Sequence, residues 1–531
     1  MASAESLYSG TEMNAIEELN ALQESRGWLS EEDLRALSRR TRIPLYELEG
    51  ISSFYPHFRR TPPRPLRVGA CRDLSCHLRD GGRARRQLAS LCAGRDDVEF
   101  EEISCPGLCD AAPASLVNGV PAAPEDVARY VEDPSSAPRE ETVPAPRRWQ
   151  TDPYAGPEDH YGELRARVES RDFDGAIARI ADSGLRGMGG AGFPVGRKWE
   201  LVRSEPATPK YVVCNADESE PAAFKDRVIL EELPHLVIEG TALGALAVGA
   251  EAGWVYIRHE YRRSRQALQR AIDDAYRRGV LGENVCGSGL RFDLRVFVSP
   301  GGYVLGEETA LLEALEGRRG EPRNKPPFPG ACGLRGQPTL INNVESFAQV
   351  PRVLRTGRAD LKFFSVSGDV RNAGVVEVPL GTRVREVVER CGGMRDGKEL
   401  LAFLPGGAST AFLPADRADV ALDWEPLAAA GSALGAGAIV IVGAGADLLD
   451  LAGNLTAFFR EESCGKCVPC RIGTEKAVVL IERREEKGLG LLPELNEALL
   501  ETSLCGLGQV ALTPVLSVLE HFPIGNDGSR R

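Results

Sequence analysis

The chain has 531 residues, of which 43% are hydrophobic and 27% are charged, and its formal net charge is −13. This length exceeds what one hydrophobic core can organise and predicts about three or four domains. The negative charge argues against a nucleic-acid-binding protein, and the lack of any apolar run of about 18 residues argues against a transmembrane segment.

The N-terminus and the cysteines indicate the compartment. The first nine residues lack the basic and apolar regions of a secretory signal, so a cytoplasmic location is expected. Thiols stay reduced in the cytoplasm, so the 13 cysteines are expected to bind metal where they cluster, rather than to form disulfides.

The N-terminal region combines helices with a first cysteine cluster. Residues 12–58 carry helical signals, including Ser30 as a cap for a helix over 31–40, and we predict a helical unit over residues 1–60. A proline cluster follows, and residues 66–70 are predicted to form a strand that ends at the first of four clustered cysteines. These are Cys71, Cys76, Cys105 and Cys109.

Two cysteine pairs can supply four soft thiolate ligands to an iron-sulfur cluster or to zinc. The gaps within the pairs are four and three residues. Structural zinc usually takes a gap of about two, so an iron-sulfur cluster is favoured over zinc in a domain over residues 61–131. His77 is interpreted as a surface residue and Cys92 as a small apolar core residue. Residues 132–153 are rich in Pro, Glu, Arg and Ser without periodicity, which predicts a linker.

A glycine-rich loop over residues 183–194 is the first sign of a cofactor. Gly187, Gly189 and Gly192 spell G-x-G-x-x-G, but the residues before them, 173–180, have helical spacing. The dinucleotide-binding fingerprint requires a strand there, so a Rossmann fold is a weak interpretation. Bare backbone can still approach a phosphate-bearing ligand closely. We therefore predict a nucleotide cradle, with a flexible loop without a ligand as the alternative.

The rest of the domain predicted over residues 154–351 has an alternating α/β pattern. Strands are expected over 211–214, 254–258 and 294–298, and helices over 227–246 and 263–277. The first strand runs into an acidic segment, 215–221, where α/β folds place ligand contacts. A second glycine turn, 301–309, opens a helix whose N-terminus favours anions. Its two glutamates can also be plain capping residues, and both interpretations stay open.

Two further domains are predicted towards the C-terminus. Residues 352–426 show short strands around one helix, which indicates a small α+β domain. Residues 427–531 are predicted to be helical and contain Cys464, Cys467, Cys470 and Cys505. Three cysteines at two-residue gaps with a remote fourth are typical of a 4Fe-4S cluster. A predicted nucleotide site thus lies between two iron-sulfur motifs in the sequence. Passing electrons from a two-electron carrier to one-electron clusters requires a cofactor that can do both, which is usually a flavin.

Six motifs in order resemble the NADH-binding flavoprotein subunit of respiratory complex I. They lie at 184–194 (GLRGMGGAGFP), 215–221 (NADESEP), 306–311 (GEETAL), 325–329 (KPPFP), 342–345 (NNVE) and 462–470 (ESCGKCVPC). This resemblance covers residues 154–522, and residues 12–130 resemble the neighbouring 2Fe-2S subunit of the same complex. Such fusions are typical of diaphorase subunits of NAD-dependent formate dehydrogenases and of NAD-reducing hydrogenases.

The resemblance implies a multidomain α/β and α+β fold. It comprises a thioredoxin-like 2Fe-2S domain, an α/β FMN- and NADH-binding domain, a small ubiquitin-like domain of the soluble-ligand-binding β-grasp type, and a C-terminal helical bundle with a 4Fe-4S cluster. The implied FMN contacts are Gly187, Gly189, Gly190, Lys198, Asn215, Asp217, Glu218, Tyr303, Gly306, Glu307, Asn342 and Asn343. The implied NAD contacts are Phe193, Glu220, Glu308, Lys325 and Phe328. The 4Fe-4S ligands are Cys464, Cys467, Cys470 and Cys505, and the 2Fe-2S ligands are Cys71, Cys76, Cys105 and Cys109.

The implied activity is that of an NADH:acceptor oxidoreductase. Hydride would pass between NAD(H) and FMN without a side-chain acid or base, and single electrons would pass through the clusters. The expected partner is a catalytic subunit with a molybdenum, tungsten or nickel-iron centre, together with further iron-sulfur subunits. Glu220 and Glu308 are expected to repel the extra phosphate of NADPH. Met188 replaces the arginine usual in the family, which removes a positive charge beside the cradle.

Two alternatives are kept. In the first, the chain is the NADH-input subunit of a membrane-bound complex I. In the second, which is not an enzyme, zinc sites and a nucleotide loop serve only as a scaffold. A colourless protein that does not respond to NADH would support the scaffold.

Overall fold

The computed structural model describes residues 14–138 and 147–523, and it begins with three helices. These are α1 (Ala15–Arg26), α2 (Glu31–Thr41) and α3 (Leu45–Phe54). Ser30 caps α2 as predicted, because its hydroxyl accepts a hydrogen bond from the Asp33 amide at 3.0 Å. Asn14 donates to the Leu315 carbonyl at 2.7 Å, which ties α1 to a distant part of the chain. Residues 1–13 of the predicted helical unit lie outside the described residues.

A four-stranded sheet follows, with helices packed around it. Its strands are β1 (Leu66–Cys71), β2 (Val98–Ile103), β3 (Ser115–Val117) and β4 (Val120–Ala122), and the helices are α4 (Leu74–Asp80), α5 (Arg83–Cys92) and α6 (Pro124–Glu132). The spatial order is β2-β1-β3-β4, with β1 parallel to β2 and antiparallel to β3. The predicted strand at 66–70 is therefore β1, and Cys71 is its last residue.

The predicted linker over 132–153 differs from the structure at both ends. Glu132 still belongs to α6, and residues 147–153 pack against the next domain. The Trp149 side chain is only 7% exposed, and its indole donates to Glu232 at 2.8 Å. The polar composition of the segment did not predict this contact, because the contact depends mainly on one buried aromatic side chain. Residues 139–146 lie outside the described residues.

The next domain has a fully parallel central sheet with the order β7-β6-β5-β8. Its strands are β5 (Tyr211–Ala216), β6 (Ala252–Arg258), β7 (Asp293–Ser299) and β8 (Thr339–Asn343). The helices are α7 (Gly162–Ser170), α8 (Phe173–Asp182), α9 (Val195–Ser204), α10 (Lys225–Glu232), α11 (Pro234–Val248), α12 (Arg262–Arg277), α13 (Glu308–Leu315) and α14 (Val344–Thr356). The single helix predicted over 227–246 is two helices, because Pro234 starts a new one.

A second sheet belongs to the small domain and extends further than predicted. Its strands, in the order β10-β9-β13-β11-β12, are β9 (Leu361–Gly368), β10 (Gly374–Pro379), β11 (Leu400–Leu404), β12 (Leu413–Pro414) and β13 (Ala438–Gly443). Helices α15 (Val384–Arg390) and α16 (Trp424–Ala429) accompany it. The predicted boundary after residue 426 cuts this sheet, because the buried strand β13 pairs with both β9 and β11.

The C-terminal part of the described chain is helical. It consists of α17 (Leu448–Glu461), α18 (Val468–Arg483), α19 (Glu486–Leu489), α20 (Leu492–Thr502), α21 (Gly506–Val510) and α22 (Thr513–His521). None of the helices in residues 14–138 and 147–523 combines the length and the hydropathy needed to cross a membrane.

Candidate functional site

The glycine loop connects α8 to α9 and closes on itself. The Gly187 amide donates to the Phe193 carbonyl at 2.9 Å, and the Val195 amide donates to the Leu185 carbonyl at 2.9 Å. A helix precedes the loop, so the predicted departure from the Rossmann fingerprint is confirmed. A Cβ atom on Gly189 would lie 3.0 Å from Cβ of Asn343, which places the loop at the carboxyl end of β8.

Two glycines in this loop have backbone conformations that side chains disfavour. Gly190 has a φ of +124° and Gly192 a φ of +64°. A Cβ atom on Gly192 would also lie 2.7 Å from Nε1 of Trp424, a residue of the small domain. The loop is therefore bare backbone held under an aromatic side chain, which suits the close approach of a phosphate and a flat ring.

The carboxyl edge of the parallel sheet gathers three of the predicted segments. The Asn215 amide donates to the Gly306 carbonyl at 2.9 Å, and this joins the end of β5 to the second glycine turn. The Asn343 amide donates to Asp226 at 2.5 Å. Ligands of open α/β sheets bind at this edge, and Asn215, Gly306 and Asn343 of the predicted FMN set lie there.

Two predicted carboxyl groups lie at this edge, of which Glu218 is buried and Asp217 is half-buried. Asp217 accepts a hydrogen bond from the Ser299 hydroxyl at 2.9 Å, and burial raises its pKa to about 6. Glu218 accepts from the amides of Asp226 and Arg227, both at 3.0 Å. Burial, reinforced by the charge of Asp226, raises the pKa of Glu218 to about 7. The surroundings of both groups therefore disfavour their charged forms.

Lys198 and Asn342 meet at the end of β8. The Lys198 ammonium donates to the Ile341 carbonyl at 3.0 Å, and burial lowers its pKa. In the orientation that satisfies its amide, Asn342 accepts from the Trp199 indole at 3.0 Å and donates to the Ile341 carbonyl at 2.8 Å. The Asn342 side chain is thus engaged with helix α9, whereas Lys198 supplies a cation at the sheet edge.

The two glutamates at the second glycine turn have different roles. Glu307 caps α13, because its carboxylate accepts from the amides of Thr309 and Ala310, both at 2.9 Å. Lys325 pairs with Glu307 at 2.7 Å and with Glu308 at 3.3 Å. The capping interpretation therefore applies to Glu307, while Glu308 remains a side chain of the cleft.

The predicted NAD residues include two exposed aromatic rings and a half-buried acid. Phe193 is 45% exposed and Phe328 is 60% exposed, which is unusual for phenylalanine and leaves both rings free to cover a planar ligand. Glu220 accepts from the amide and the hydroxyl of Ser409 at 2.9 and 2.7 Å, and burial raises its pKa. Among residues 14–138 and 147–523, no cationic side chain pairs with Glu220.

A buried ion cluster lies behind the glycine loop. Glu345 pairs with Lys225 at 2.9 Å and with Lys362 at 3.2 Å, and Lys225 also pairs with Asp226 at 2.7 Å. The Lys362 ammonium lies 3.6 Å from the sulfur of Met188. Although residue 188 is uncharged, a positive charge thus stands directly behind the loop on Lys362.

Three of the four cysteines predicted for a 4Fe-4S cluster lie at the start of two helices, and the fourth, Cys464, lies in the connection between α17 and α18. Cys467 precedes α18, Cys470 lies in its first turn, and Cys505 caps α21. Burial raises the pKa of Cys470 to about 11 and that of Cys505 to about 12. Thiols so disposed become thiolates when a metal replaces their protons, so this donor set fits a cluster.

The four cysteines predicted for a 2Fe-2S cluster form a second, more deeply buried set. Cys71 ends β1, Cys76 lies in α4, and Cys105 and Cys109 follow β2. The sulfurs of Cys105 and Cys109 are 3.3 Å apart, and the Ala114 amide donates to the Cys76 sulfur at 3.2 Å. All thirteen cysteines lie within the described residues and are free, so these four thiols are available to a cluster.

Cys92 and His77 lie near this set and were predicted not to be cluster ligands. Cys92 is buried among the apolar residues of its domain, as predicted. His77 is not a free surface residue, because its Nε2 lies 2.6 Å from the carboxylate of Asp450 on α17. The sequence gives no sign of this contact between distant segments.

Direct hydrogen bonds join the sheet edge to both cysteine sets. The Tyr303 amide donates to Glu462, two residues before Cys464, at 2.8 Å. Arg258 donates to the Glu218 carbonyl at 2.6 Å and to the Cys105 carbonyl at 2.8 Å. The segments predicted to hold the flavin and the clusters thus pack directly against each other.

Sequence reasoning missed several residues of this region. Ser409 and Trp424 come from the small domain, and Arg258 ends a buried strand. Asp73 also escaped notice, although its carboxylate accepts from the Cys105 amide at 2.7 Å. A single sequence offers no signal for such contacts, because they depend on how the domains dock.

A glycine loop that can bind a nucleotide lies beside two sets of four cysteines that can bind iron-sulfur clusters. This combination is typical of iron-sulfur flavoprotein oxidoreductases. Family models match residues 2–131 (thioredoxin-like [2Fe-2S] ferredoxin), 180–352 (Nuo51 FMN-binding domain), 363–413 (SLBB domain) and 450–525 (NADH-ubiquinone oxidoreductase-F iron-sulfur binding region). The chain belongs to the family of the F subunits of NADH-quinone oxidoreductases, and its cofactors are FMN, NADH, a 4Fe-4S cluster and a 2Fe-2S cluster.

Individual relatives come from two kinds of enzyme. The second F subunit of the NADH-quinone oxidoreductases of Rhizobium meliloti is 41% identical over 68% of this chain and 90% of its own length. The NADP-reducing hydrogenase subunit HndC of Solidesulfovibrio fructosivorans is 44% identical over 65% of this chain and 73% of its own. A chain of an NAD⁺-reducing [NiFe]-hydrogenase, solved in the H₂-reduced state, superposes with a TM-score of 0.84 at 29% sequence identity. The match includes 96% of the present chain and 92% of the hydrogenase chain.

Proposed function

We propose that this chain is the diaphorase subunit of a multi-subunit enzyme whose catalytic subunit carries a nickel-iron centre or a molybdenum or tungsten centre. The supporting observation is coverage. The chain of the NAD⁺-reducing [NiFe]-hydrogenase superposes on 96% of this chain, so the match takes in the thioredoxin-like 2Fe-2S domain at residues 2–131 as well as the domains that follow it. A fused 2Fe-2S domain thus favours this assignment over the alternative of an NADH-input subunit in a membrane-bound complex I.

The residues divide into two binding groups. The bare loop at Gly187, Gly189 and Gly190 would hold FMN phosphate, with Asn215 and Lys198 nearby. The exposed rings of Phe193 and Phe328 would cover NADH and exclude water. FMN, when bound, exchanges a hydride with NAD(H) and single electrons with iron-sulfur clusters. The protein's part is positioning, and no side-chain acid or base is required.

The two clusters would serve different purposes. The 2Fe-2S cysteines are 2% to 6% exposed, and hydrogen bonds from their domain reach the other domains through Arg258, Asp450 and Ser367. The 4Fe-4S set is less enclosed, because Cys464, Cys467 and Cys505 are half-buried. We assign the 4Fe-4S cluster to electron exchange with the partner and the 2Fe-2S cluster to a side store.

Matched serine substitutions test this assignment. Cys505→Ser is expected to lower partner-coupled turnover by about a hundredfold while reduction of an artificial acceptor by NADH persists, since the flavin step is upstream. Cys105→Ser is expected to change both rates by less than about threefold. Flavin and iron contents of each variant control for loss of the other cofactors. Coupled turnover that collapses in Cys105→Ser would make the 2Fe-2S cluster the exit.

Nucleotide choice is assigned to Glu220. Glu220 is half-buried, and within the described part of the chain its carboxylate accepts hydrogen bonds from Ser409 alone. Glu308 instead pairs with Lys325, which it shares with Glu307. Glu220→Gln, which keeps the shape, is expected to raise the NADPH-to-NADH ratio of kcat/KM by about tenfold, and Glu308→Gln by less. Because burial raises the pKa of Glu220, discrimination should weaken as the pH falls. An unchanged ratio in Glu220→Gln would refute the assignment.

Identifying the partner tests the proposal as a whole. The chain should be isolated from its native source with its partners, and the metals of the complex should be measured. Nickel, or molybdenum or tungsten, is expected in about equal amount to FMN. Co-purification with membrane subunits and none of these metals would support the complex I alternative. The scaffold alternative is set aside, because the matched families bind FMN and iron-sulfur clusters.

A further inference from the structure

Three side chains that belong to none of the sets above form a cluster on the FMN-binding domain. Asp152 and His160 lie in the segment that leads into α7, and His235 is the second residue of α11. One potential ligand atom from each residue lies within 4.8 Å of the other two. The cluster therefore joins two segments that are about 75 residues apart in the sequence.

His235 supplies a second, independent observation. Its side chain belongs to a residue that is only 8% exposed, and its Nε2 atom is buried without a hydrogen bond. The nearest carboxylate oxygen, Oδ2 of Asp152, lies 3.5 Å away. Leaving a buried polar atom without a hydrogen bond is unfavourable, and the contact with Asp152 is too long to satisfy this nitrogen fully.

The surroundings keep the donor atoms ready for a cation. The rings of His160 and His235 stack with centroids 3.6 Å apart and planes 2° apart. The Tyr154 amide donates to Oδ1 of Asp152 at 3.0 Å, and the other oxygen, Oδ2, lies on the side of His235. The cluster thus brings two imidazole rings and one carboxylate oxygen together.

We propose that Asp152, His160 and His235 bind one divalent transition-metal ion of the zinc type. Two imidazole nitrogens and one carboxylate oxygen are ligands that zinc accepts, whereas calcium and magnesium prefer oxygen alone. Bonds of about 2.0–2.1 Å place tetrahedral ligand atoms roughly 3.3 Å apart, so the donors must move closer together. The half-buried His160 ring is the one that can turn out of the stack. The ion would fasten the segment at Asp152 to helix α11.

The test uses the complete protein with both clusters loaded, so that the cluster cysteines are occupied. After treatment with a mild chelator that leaves the iron content unchanged, the protein is titrated with Zn²⁺, and bound zinc is measured by mass spectrometry and zinc-edge X-ray absorption. We expect one ion per chain with only nitrogen and oxygen ligands, including two imidazoles.

Variants locate the ion. His160→Gln and His235→Gln are each expected to weaken zinc binding by about a hundredfold. His521→Gln, on α22, serves as the control and should bind as the wild type does. If His235→Gln fails to fold, zinc binding by His160→Gln tests the proposal, because His160 is only half-buried. Sulfur ligands, no bound zinc, or equal binding by wild type and His160→Gln would overturn the proposal.

Discussion

Replacing Glu345 with glutamine is expected to lower the free energy of unfolding by about 3–5 kcal/mol. Glu345 is fully buried and pairs with Lys225 and Lys362. Without its charge, Lys225 keeps Asp226, but Lys362 loses the anion with which it pairs. Unfolding by denaturant, followed through the flavin absorbance and the circular dichroism, measures the change.

The same cluster gives an expected pH dependence. Burial alone would raise the pKa of Glu345, but Lys225 and Lys362 hold it below the ordinary value of 4.5. The stabilisation is therefore fully present above pH 4.5 and is lost as the pH falls through the lowered pKa of the folded state. In Glu345→Gln this part of the acid sensitivity should disappear.

An exposed ion pair provides the matched control. Asp419 pairs with Arg385 at 3.2 Å on the surface, so Asp419→Asn should change the stability by less than about 1 kcal/mol. If Glu345→Gln were as mild as Asp419→Asn, the buried ion cluster would not contribute the stability expected of it.

Replacing Gly192 with alanine is expected to weaken FMN binding by about tenfold or more. Two effects add up at this position. The φ of +64° strains any side chain, and the new Cβ atom would lie 2.7 Å from Nε1 of Trp424. Either the loop or the tryptophan must move, which disturbs the cradle. The fluorescence of FMN released during dilution measures the affinity.

Gly184 separates strain from crowding. It has a φ of +72°, but a Cβ atom there would meet nothing within 4 Å. Gly184→Ala should therefore carry the same strain of about 1–2 kcal/mol in stability and leave FMN affinity nearly unchanged. Equal loss of FMN in the two variants would show that the contact with Trp424 is irrelevant.

The sequence was most informative where chemistry depends on local spacing. The cysteine sets and the glycine loop follow from short motifs, and the strand at 66–70 and the cap at Ser30 follow from local pattern. The structure confirms the strand and the cap, because neighbours in the chain determine them.

What could not be predicted depends on docking between distant segments. Strand β13 is an apolar run that could equally begin a helical region. Its pairing with β9 and β11 is what makes it a strand. Trp149 was hidden in a polar segment, and His77 gained a partner on α17. Ser409 and Trp424 reach the cofactor region from the small domain, which no local pattern indicates.

The central claim is that FMN and the clusters of this chain form one electron-transfer unit fed by NADH. The most direct measurement is an anaerobic titration of the complete protein with NADH, followed by visible absorbance and by electron paramagnetic resonance. We expect bleaching of the yellow flavin absorbance together with signals of reduced iron-sulfur clusters. A protein whose flavin stays oxidised, or whose flavin bleaches while every cluster remains oxidised, would contradict the account.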